Sequence, residues 1–74
     1  MEDGIERKIL EEMAERLVAK KSEIFKFLQG YGVNQEVINA VTKSLLQKGL
    51  LVPVYSSETT FAITQRGIKE VLIF

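Results

Sequence analysis

Residues 22–51 read SEIFKFLQGYGVNQEVINAVTKSLLQKGLL, two apolar-rich segments separated by a pair of glycines. The first segment, residues 22–29, predicts a short helix. The second repeats its apolar residues at a spacing near 3.6 and predicts a longer helix over residues 34–48. Glycine tolerates the positive φ that a tight connection needs, so Gly30 and Gly32 predict a short turn between the two helices.

The longer predicted helix has an apolar side and a polar side. Its apolar side is formed by Val37, Ile38, Val41 and Leu45. Its polar side carries Glu36, Asn39, Ala40, Lys43 and Gln47, with Asn34 and Gln35 at the N-terminal end. Asn34 is the predicted N-cap, and Gly49 is the predicted residue that ends the helix. Two helices joined by a short glycine-containing turn are the pattern of a helix-turn-helix.

The segment before this stretch predicts an amphipathic helix. Its apolar residues recur every four positions at Ile5, Ile9, Met13 and Leu17, and Leu10, Ala14 and Val18 widen the stripe. Asp3 is the predicted N-cap, and the helix is expected to end near Lys20 and Lys21. Ser22 is then the predicted N-cap of the following helix. The wide stripe either covers the core of one chain or pairs two copies of it.

The segment after the longer helix predicts a β-hairpin. Residues 50–55 and 59–63 are rich in β-branched and aromatic residues, and the polar residues 56–58 lie between them. Pro53 has no backbone N–H and therefore belongs at an edge or a strand end. Thr64 is the predicted cap of a last short helix over residues 65–72. The apolar end, residues 71–74, is expected to fold back on the core or to contact a partner.

The 74 residues predict one domain, residues 1–74, in which neither cysteine nor histidine occurs. This composition excludes a disulfide framework, a cysteine or histidine metal site, and catalysis by either residue. Neither a carboxylate pair placed for catalysis nor a phosphate-binding loop is evident, so we expect no enzyme and no cofactor. No signal-peptide pattern and no apolar run of about 18 residues is present, so we expect a cytoplasmic protein without a membrane span.

The formal net charge is zero, but the charges are unevenly distributed along the chain. Residues 1–15 contain six acidic and two basic residues, whereas residues 16–48 contain six basic and two acidic residues. The positive part therefore coincides with the predicted helix-turn-helix. This asymmetry points weakly to an anionic partner.

Three phrases of the sequence resemble the winged helix-turn-helix family. Residues 33–37 resemble the start of its recognition helix, and residues 45–51 resemble the connection from that helix into the wing. Residues 61–67 resemble its second wing strand, as in many small archaeal and bacterial regulators. The resemblance covers nearly the whole chain. It implies an α+β fold of three helices, a two-stranded wing and a short C-terminal helix.

The resemblance also implies that the chain binds double-stranded DNA, as a transcriptional regulator with residues 34–48 in the major groove. The groove-facing residues would be Asn34, Gln35, Glu36, Asn39, Ala40 and Lys43. The candidate phosphate contacts are Lys20, Lys21, Ser22 and Lys26. The wing tip, residues 56–58, has no lysine or arginine, and the net charge is zero. A homodimer formed through the first helix and the C-terminal tail is therefore expected to bind better than a monomer.

The same family also serves in protein–protein complexes, which leaves a second function open. The chain would then be an accessory subunit that contacts its partner through the acidic first helix, the neutral wing and the apolar terminus. The distribution of lysines discriminates between the two functions. Lysines that converge beside the longer helix favour DNA, and lysines that are scattered or balanced by acidic residues favour a protein partner.

Overall fold

The structure, a computed structural model, describes the backbone of residues 2–55 and 57–73 and the side chains of residues 4–55 and 57–72. The described residues form four helices and three strands, in the order α1 (Glu2–Arg16), β1 (Val18–Lys20), α2 (Lys21–Gln29), α3 (Gln35–Gln47), β2 (Leu51–Val54), β3 (Thr60–Ile63) and α4 (Gln65–Ile73). The fold is therefore α+β, as expected.

The core forms around α1, which contacts α3, α4 and the sheet. Ile9, Leu10 and Met13 are at most 1% exposed, so most of the predicted apolar stripe is confirmed as core. On α3 the buried residues include Ile38 and Leu45. Because the central residues of the α1 stripe are buried within one chain, a dimer through α1 would have to use the charged side of this helix.

The end of α1 and the strand that follows differ from the prediction. The helix ends at Arg16, and Leu17 adopts a positive φ of 70°. Leu17 and Val18 were expected in the helical stripe, but they are 54% and 49% exposed. Residues 18–20 form β1 because their backbone pairs with β3, a contact that no local pattern reveals. The expectations that the helix runs to Lys20 and that the sheet has two strands are therefore wrong.

The sheet is antiparallel, with β3 between β1 and β2. Val18 lies opposite Ala62, and Ala62 lies opposite Val52, so these three residues form one row across the strands. Ala19, on the other face, is buried opposite the buried Phe61. Side chains alternate between the two faces of a strand, which gives the sheet an inner face on the core and an outer face toward solvent.

The start of α2 also differs from the prediction, because Ser22 lies inside the helix rather than at its N-cap. The helix begins at Lys21, directly after β1, and Lys20 is its N-cap residue. The Lys20 backbone N–H donates to the Glu23 carboxylate over 2.8 Å. A carboxylate at the third helical position thus satisfies the free N–H group, which is one half of a capping box.

Several local predictions are confirmed. The Asn34 side chain accepts a hydrogen bond from the Val37 N–H over 2.9 Å and caps α3. Gly49, with φ 75°, follows the C-cap residue Lys48. Thr64 caps α4 by accepting from the Gly67 N–H over 3.0 Å. The predicted hairpin is present as β2 and β3.

Two predictions concern the ends of the chain. The prediction that Asp3 is the N-cap of α1 is wrong, because α1 begins at Glu2 and includes Asp3. The predicted contact of Phe74 lies outside the described residues. Within the described part of the tail, Val71 packs against the core, whereas Leu72 is 79% exposed. Of these two residues, one therefore folds back on the core and the other faces solvent.

The surroundings of two helical glycines show how closely α4 approaches the sheet. A Cβ at Gly67 would lie 2.4 Å from the Leu50 carbonyl oxygen and 2.7 Å from Ile63 Cγ1, whereas a Cβ at Gly4 would meet nothing within 4 Å. Gly67→Ala should therefore destabilise the fold by about 1–3 kcal/mol, because the nearest obstacle is backbone. Gly4→Ala should be neutral or stabilising by up to about 1 kcal/mol. Urea unfolding of both variants measures this contrast, and equal effects would contradict the close approach.

Candidate nucleic-acid interface

The polar side of α3 is exposed over its whole length. Solvent reaches every predicted groove-facing residue, namely Asn34, Gln35, Glu36, Asn39, Ala40 and Lys43. The opposite side is buried through Ile38, Val41, Thr42 and Leu45. The apolar residues therefore fix the rotation of α3 about its axis, and this rotation turns the amide and charged side chains outward.

The turn between α2 and α3 fixes where this polar side begins. Gly32 has a positive φ of 74°, and its N–H donates to the Gln29 carbonyl over 3.0 Å. Val33 then donates to the Leu28 carbonyl over 3.4 Å and packs against the core. Asn34 follows as the cap, so the side chains nearest the turn belong to the exposed N-terminal end of α3.

The outer side of α2 carries three of the four predicted phosphate contacts. Ser22 and Lys26 are exposed, and with Phe25 and Gln29 they line one shallow groove. Lys21 is half-buried, and its ammonium lies 5.4 Å from the centre of the Phe25 ring. Gln29 was not among the residues predicted from the sequence, although its spacing of three from Lys26 places both on one side of a helix.

Lys20 does not belong with these residues. Its side chain lies on the outer face of the sheet, and Nζ is 2.8 Å from Glu58 Oε2. The hydrogen bond with the Glu58 carboxylate raises the pKa of Lys20, and the negative charge of Glu58 raises it further. The prediction that Lys20 contacts phosphate is therefore weakened, because an acidic residue of the hairpin balances its charge.

Glu23 connects the end of α1 to the start of α2. Its carboxylate accepts from the Lys20 N–H and forms an ion pair with Arg16. The hydrogen bond from Lys20 lowers the pKa of Glu23, and the charge of Arg16 lowers it further, against the opposing effect of desolvation. Because Glu23 is engaged in this way, it does not form an ion pair with Lys21 or Lys26.

Three lysines on the two helices have no ion pair with any residue that the structure describes, namely Lys21, Lys26 and Lys43. On α3, Lys43 shares the exposed side with Glu36, so that side has no net charge. Both outcomes of the lysine criterion are therefore present. Lys43 and Lys20 are balanced by Glu36 and Glu58, whereas Lys21 and Lys26 on α2 have no ion pair with a described acidic residue.

In the described part of the chain, no group of three or more carboxylates is arranged to hold a metal ion. Among the same residues, no helix has the length and apolar character required to span a membrane.

Comparisons of this chain with protein-family models, with curated proteins and with solved structures found no match.

The lowered pKa of Glu23 predicts how stability responds to pH. A carboxylate with a pKa below the ordinary value of 4.5 stabilises the fold above that value, and the contribution is lost as the pH falls through the folded-state pKa. Glu23→Gln should therefore destabilise the protein at pH 7 and have a smaller effect at acidic pH. Urea unfolding at several pH values measures the difference.

Glu15→Gln is the matched control, because Glu15 is an exposed glutamate of α1 without an ion pair to a described residue. If Glu15→Gln lowered the free energy of unfolding at pH 7 by the same amount, the loss of any carboxylate would explain the effect. Such a result would contradict a specific contribution of Glu23.

Proposed function

We propose that this chain is a winged helix-turn-helix protein that binds double-stranded DNA as a transcriptional regulator, with α3 in the major groove. One observation carries the proposal: the amide and charged side chains of α3 are exposed together at the end of the helix that follows the turn. In helix-turn-helix proteins this end of the second helix contacts the bases.

The order of elements supports the winged-helix part of the proposal. Helix, helix, turn, helix, hairpin and helix follow one another as in that family, and β1 adds a third strand beside the hairpin. The glycine-containing turn between α2 and α3 is short, as the motif requires. A cytoplasmic location, expected from the sequence, belongs to the same proposal.

The chemistry of the exposed side of α3 suits base edges. An asparagine or glutamine can form two hydrogen bonds to adenine, and Asn39 is in the middle of the exposed side. Lys43, one helical turn further on, can donate to guanine. Glu36 can accept from the amino group of cytosine. The exposed side chains therefore offer both donors and acceptors to the major groove.

The cations of α2 and α3 provide few phosphate contacts. Lys21, Lys26 and Lys43 would contribute a slope of about −3 in a plot of log affinity against log salt, at about 0.9 for each phosphate. The sheet adds no net charge, because Glu58 of the hairpin balances Lys20 of β1. Binding by one chain is then weak at physiological salt, and we propose that a homodimer is the DNA-binding species.

Fluorescence anisotropy with a labelled duplex tests the proposed function. Asn39→Ala/Lys43→Ala should lower the affinity by about tenfold or more, because each lost base contact costs on the order of 1–3 kcal/mol. The control is Gln65→Ala/Lys69→Ala, which removes an amide and a lysine four residues apart from the exposed side of α4. The control should bind as the wild type does.

Two results would overturn the proposed docking of α3. In the first, the wild type does not bind duplex DNA at low salt. In the second, Asn39→Ala/Lys43→Ala and Gln65→Ala/Lys69→Ala reduce the affinity equally. The second result would show that any removed lysine weakens binding through its charge alone.

The salt dependence tests the role of α2 separately. Lys26→Gln should reduce the magnitude of the slope of log affinity against log salt by about 0.9, with a similar loss of affinity on different duplexes. Lys69→Gln, which removes an exposed lysine of α4, should leave the slope unchanged. An unchanged slope in Lys26→Gln would remove α2 from the interface.

A protein-interaction module is the second candidate function, and one observation favours it. The outer face of the sheet carries Val18, Val52 and Val54, which are 37% to 49% exposed. An antiparallel sheet that covers a core on one face ordinarily presents polar residues on the other. This face therefore offers an apolar contact surface that DNA would not use.

A further inference from the structure

We infer that the outer face of the sheet is the surface through which two copies of this chain form a dimer. The inference goes beyond DNA binding and does not depend on it. The surface differs from α1 and the C-terminal tail, which the sequence suggested for dimerisation. We call the six outward residues of the sheet the outer sheet face. The register places Val18, Lys20, Val52, Val54, Thr60 and Ala62 on this side, and among them Thr60 is buried at 8% exposure.

The outer sheet face is mainly apolar across all three strands. Val18, Ala62 and Val52 form its first row, and Lys20, Thr60 and Val54 form the second. The patch extends beyond the strands through Leu17, just before β1, and Tyr55, just after β2. These two residues are 54% and 97% exposed. Five of the seven large apolar residues that are exposed in the described part of the chain are therefore in or beside this sheet.

The fold of a single chain leaves this surface uncovered. The inner face already meets the core through Ala19, Leu51 and Phe61, each at most 6% exposed. The core on that side is completed by α1 and α3. A 74-residue domain buries a smaller fraction of its surface than a larger domain does, and association adds to that burial.

The charges of the patch fit a second copy. Its charged groups are Lys20 and Glu58, which lie 2.8 Å apart, so the patch carries no net charge. A strongly acidic or basic partner would find no opposite charge here. A copy related by a two-fold axis presents the same apolar rows, and Lys20 of one copy can approach Glu58 of the other. The chain as a whole also has zero net charge, so two copies do not repel each other.

The available area is compatible with a small dimer interface. Side chains exposed by 37% to 97% at five positions present a few hundred Å² of apolar surface, as large as the functional patches of small proteins. A stable interface needs about 600 Å² from each copy. The polar residues Lys20, Glu58 and Thr59 at the edge of the patch supply the remaining area.

The geometry of the sheet favours contact face to face rather than edge to edge. Pro53 is in the edge strand β2 and has no N–H to donate to another strand. The other edge strand, β1, has only three residues. Pairing through either edge would therefore be short or interrupted, whereas the outer sheet face is continuous across the three strands.

A dimer formed in this way leaves α3 accessible. The buried side of α3 and the inner face of the sheet both contact the core, so the exposed side of α3 and the outer sheet face point away from it in different directions. Both surfaces can therefore be occupied at once.

Light scattering of the whole chain, without DNA, tests the dimer. The wild type at about 100 µM should have twice the monomer mass of 8.4 kDa. Val52→Lys should weaken association by tenfold or more and shift the mass toward 8.4 kDa, because it places two further positive charges between the copies. Leu72→Lys, which changes an exposed apolar residue of α4, should leave the dimer intact.

A second variant keeps the test valid if lysine disturbs the strand. Val18→Thr/Val52→Thr preserves the β-branched shape and the strand preference but removes apolar surface from the same row. It should also shift the mass toward the monomer, with an unchanged far-ultraviolet circular dichroism spectrum.

Three results would overturn the inference. The wild type could be monomeric at this concentration, Leu72→Lys could dissociate the dimer while Val52→Lys does not, or both sheet variants could remain dimeric. Failure of DNA binding is a separate outcome, because Asn39→Ala/Lys43→Ala should retain the dimer mass.

Discussion

The antiparallel pairing of β1 with β3 is the contact on which the rest of the arrangement depends. It joins residues 18–20 to residues 60–62 and so connects the N-terminal part of the chain to the hairpin. The Leu17 carbonyl accepts from the Ile63 N–H over 3.0 Å, and the Lys21 N–H donates to the Thr59 carbonyl over 2.8 Å. Since α2 begins where this pairing ends, the sheet sets the direction of α2 and, through the short turn, of α3.

Ion pairs within the chain reduce the positive charge that the sequence suggested. Of the six basic residues in residues 16–48, three are engaged within the chain. Arg16 pairs with Glu12 and Glu23, Lys20 with Glu58, and Lys48 with Glu6. These pairs are exposed, so each adds little to stability, but each lowers the net positive potential available to a phosphate group. Half of the basic residues in this segment therefore have no ion pair with a described residue.

The sequence predicted the elements that local chemistry determines. Periodicity, Asn34 as the cap and the glycine after Lys48 located α3 to within a residue at each end, and the same kind of signal located the hairpin and α4. It failed at β1. Leu17 and Val18 continue the four-residue period of α1, and a leucine at positive φ is an uncommon way to end a helix.

The candidate surfaces differ in how far the sequence could reveal them. The exposed side of α3 follows from helical period alone, so its residues could be selected before the structure was known. The outer sheet face requires the register of three strands, because Val18 and Val52 are neighbours only through Ala62. The ion pair of Lys20 could not be predicted for the same reason, since its partner Glu58 lies far away in sequence.

Because the helices of one chain offer few phosphate contacts, the proposed DNA binding depends on the dimer that the outer sheet face would form. Three unpaired lysines on the helices of one chain predict a salt slope of about −3, and a dimer that engages both copies predicts one near −5. In a dimer the second α3 binds from a high effective concentration, so two weak contacts combine into a much tighter one. The neutral, apolar outer sheet face can supply that dimer without adding charge. In the proposed dimer, the polar side of α3 serves recognition and the apolar outer sheet face serves association.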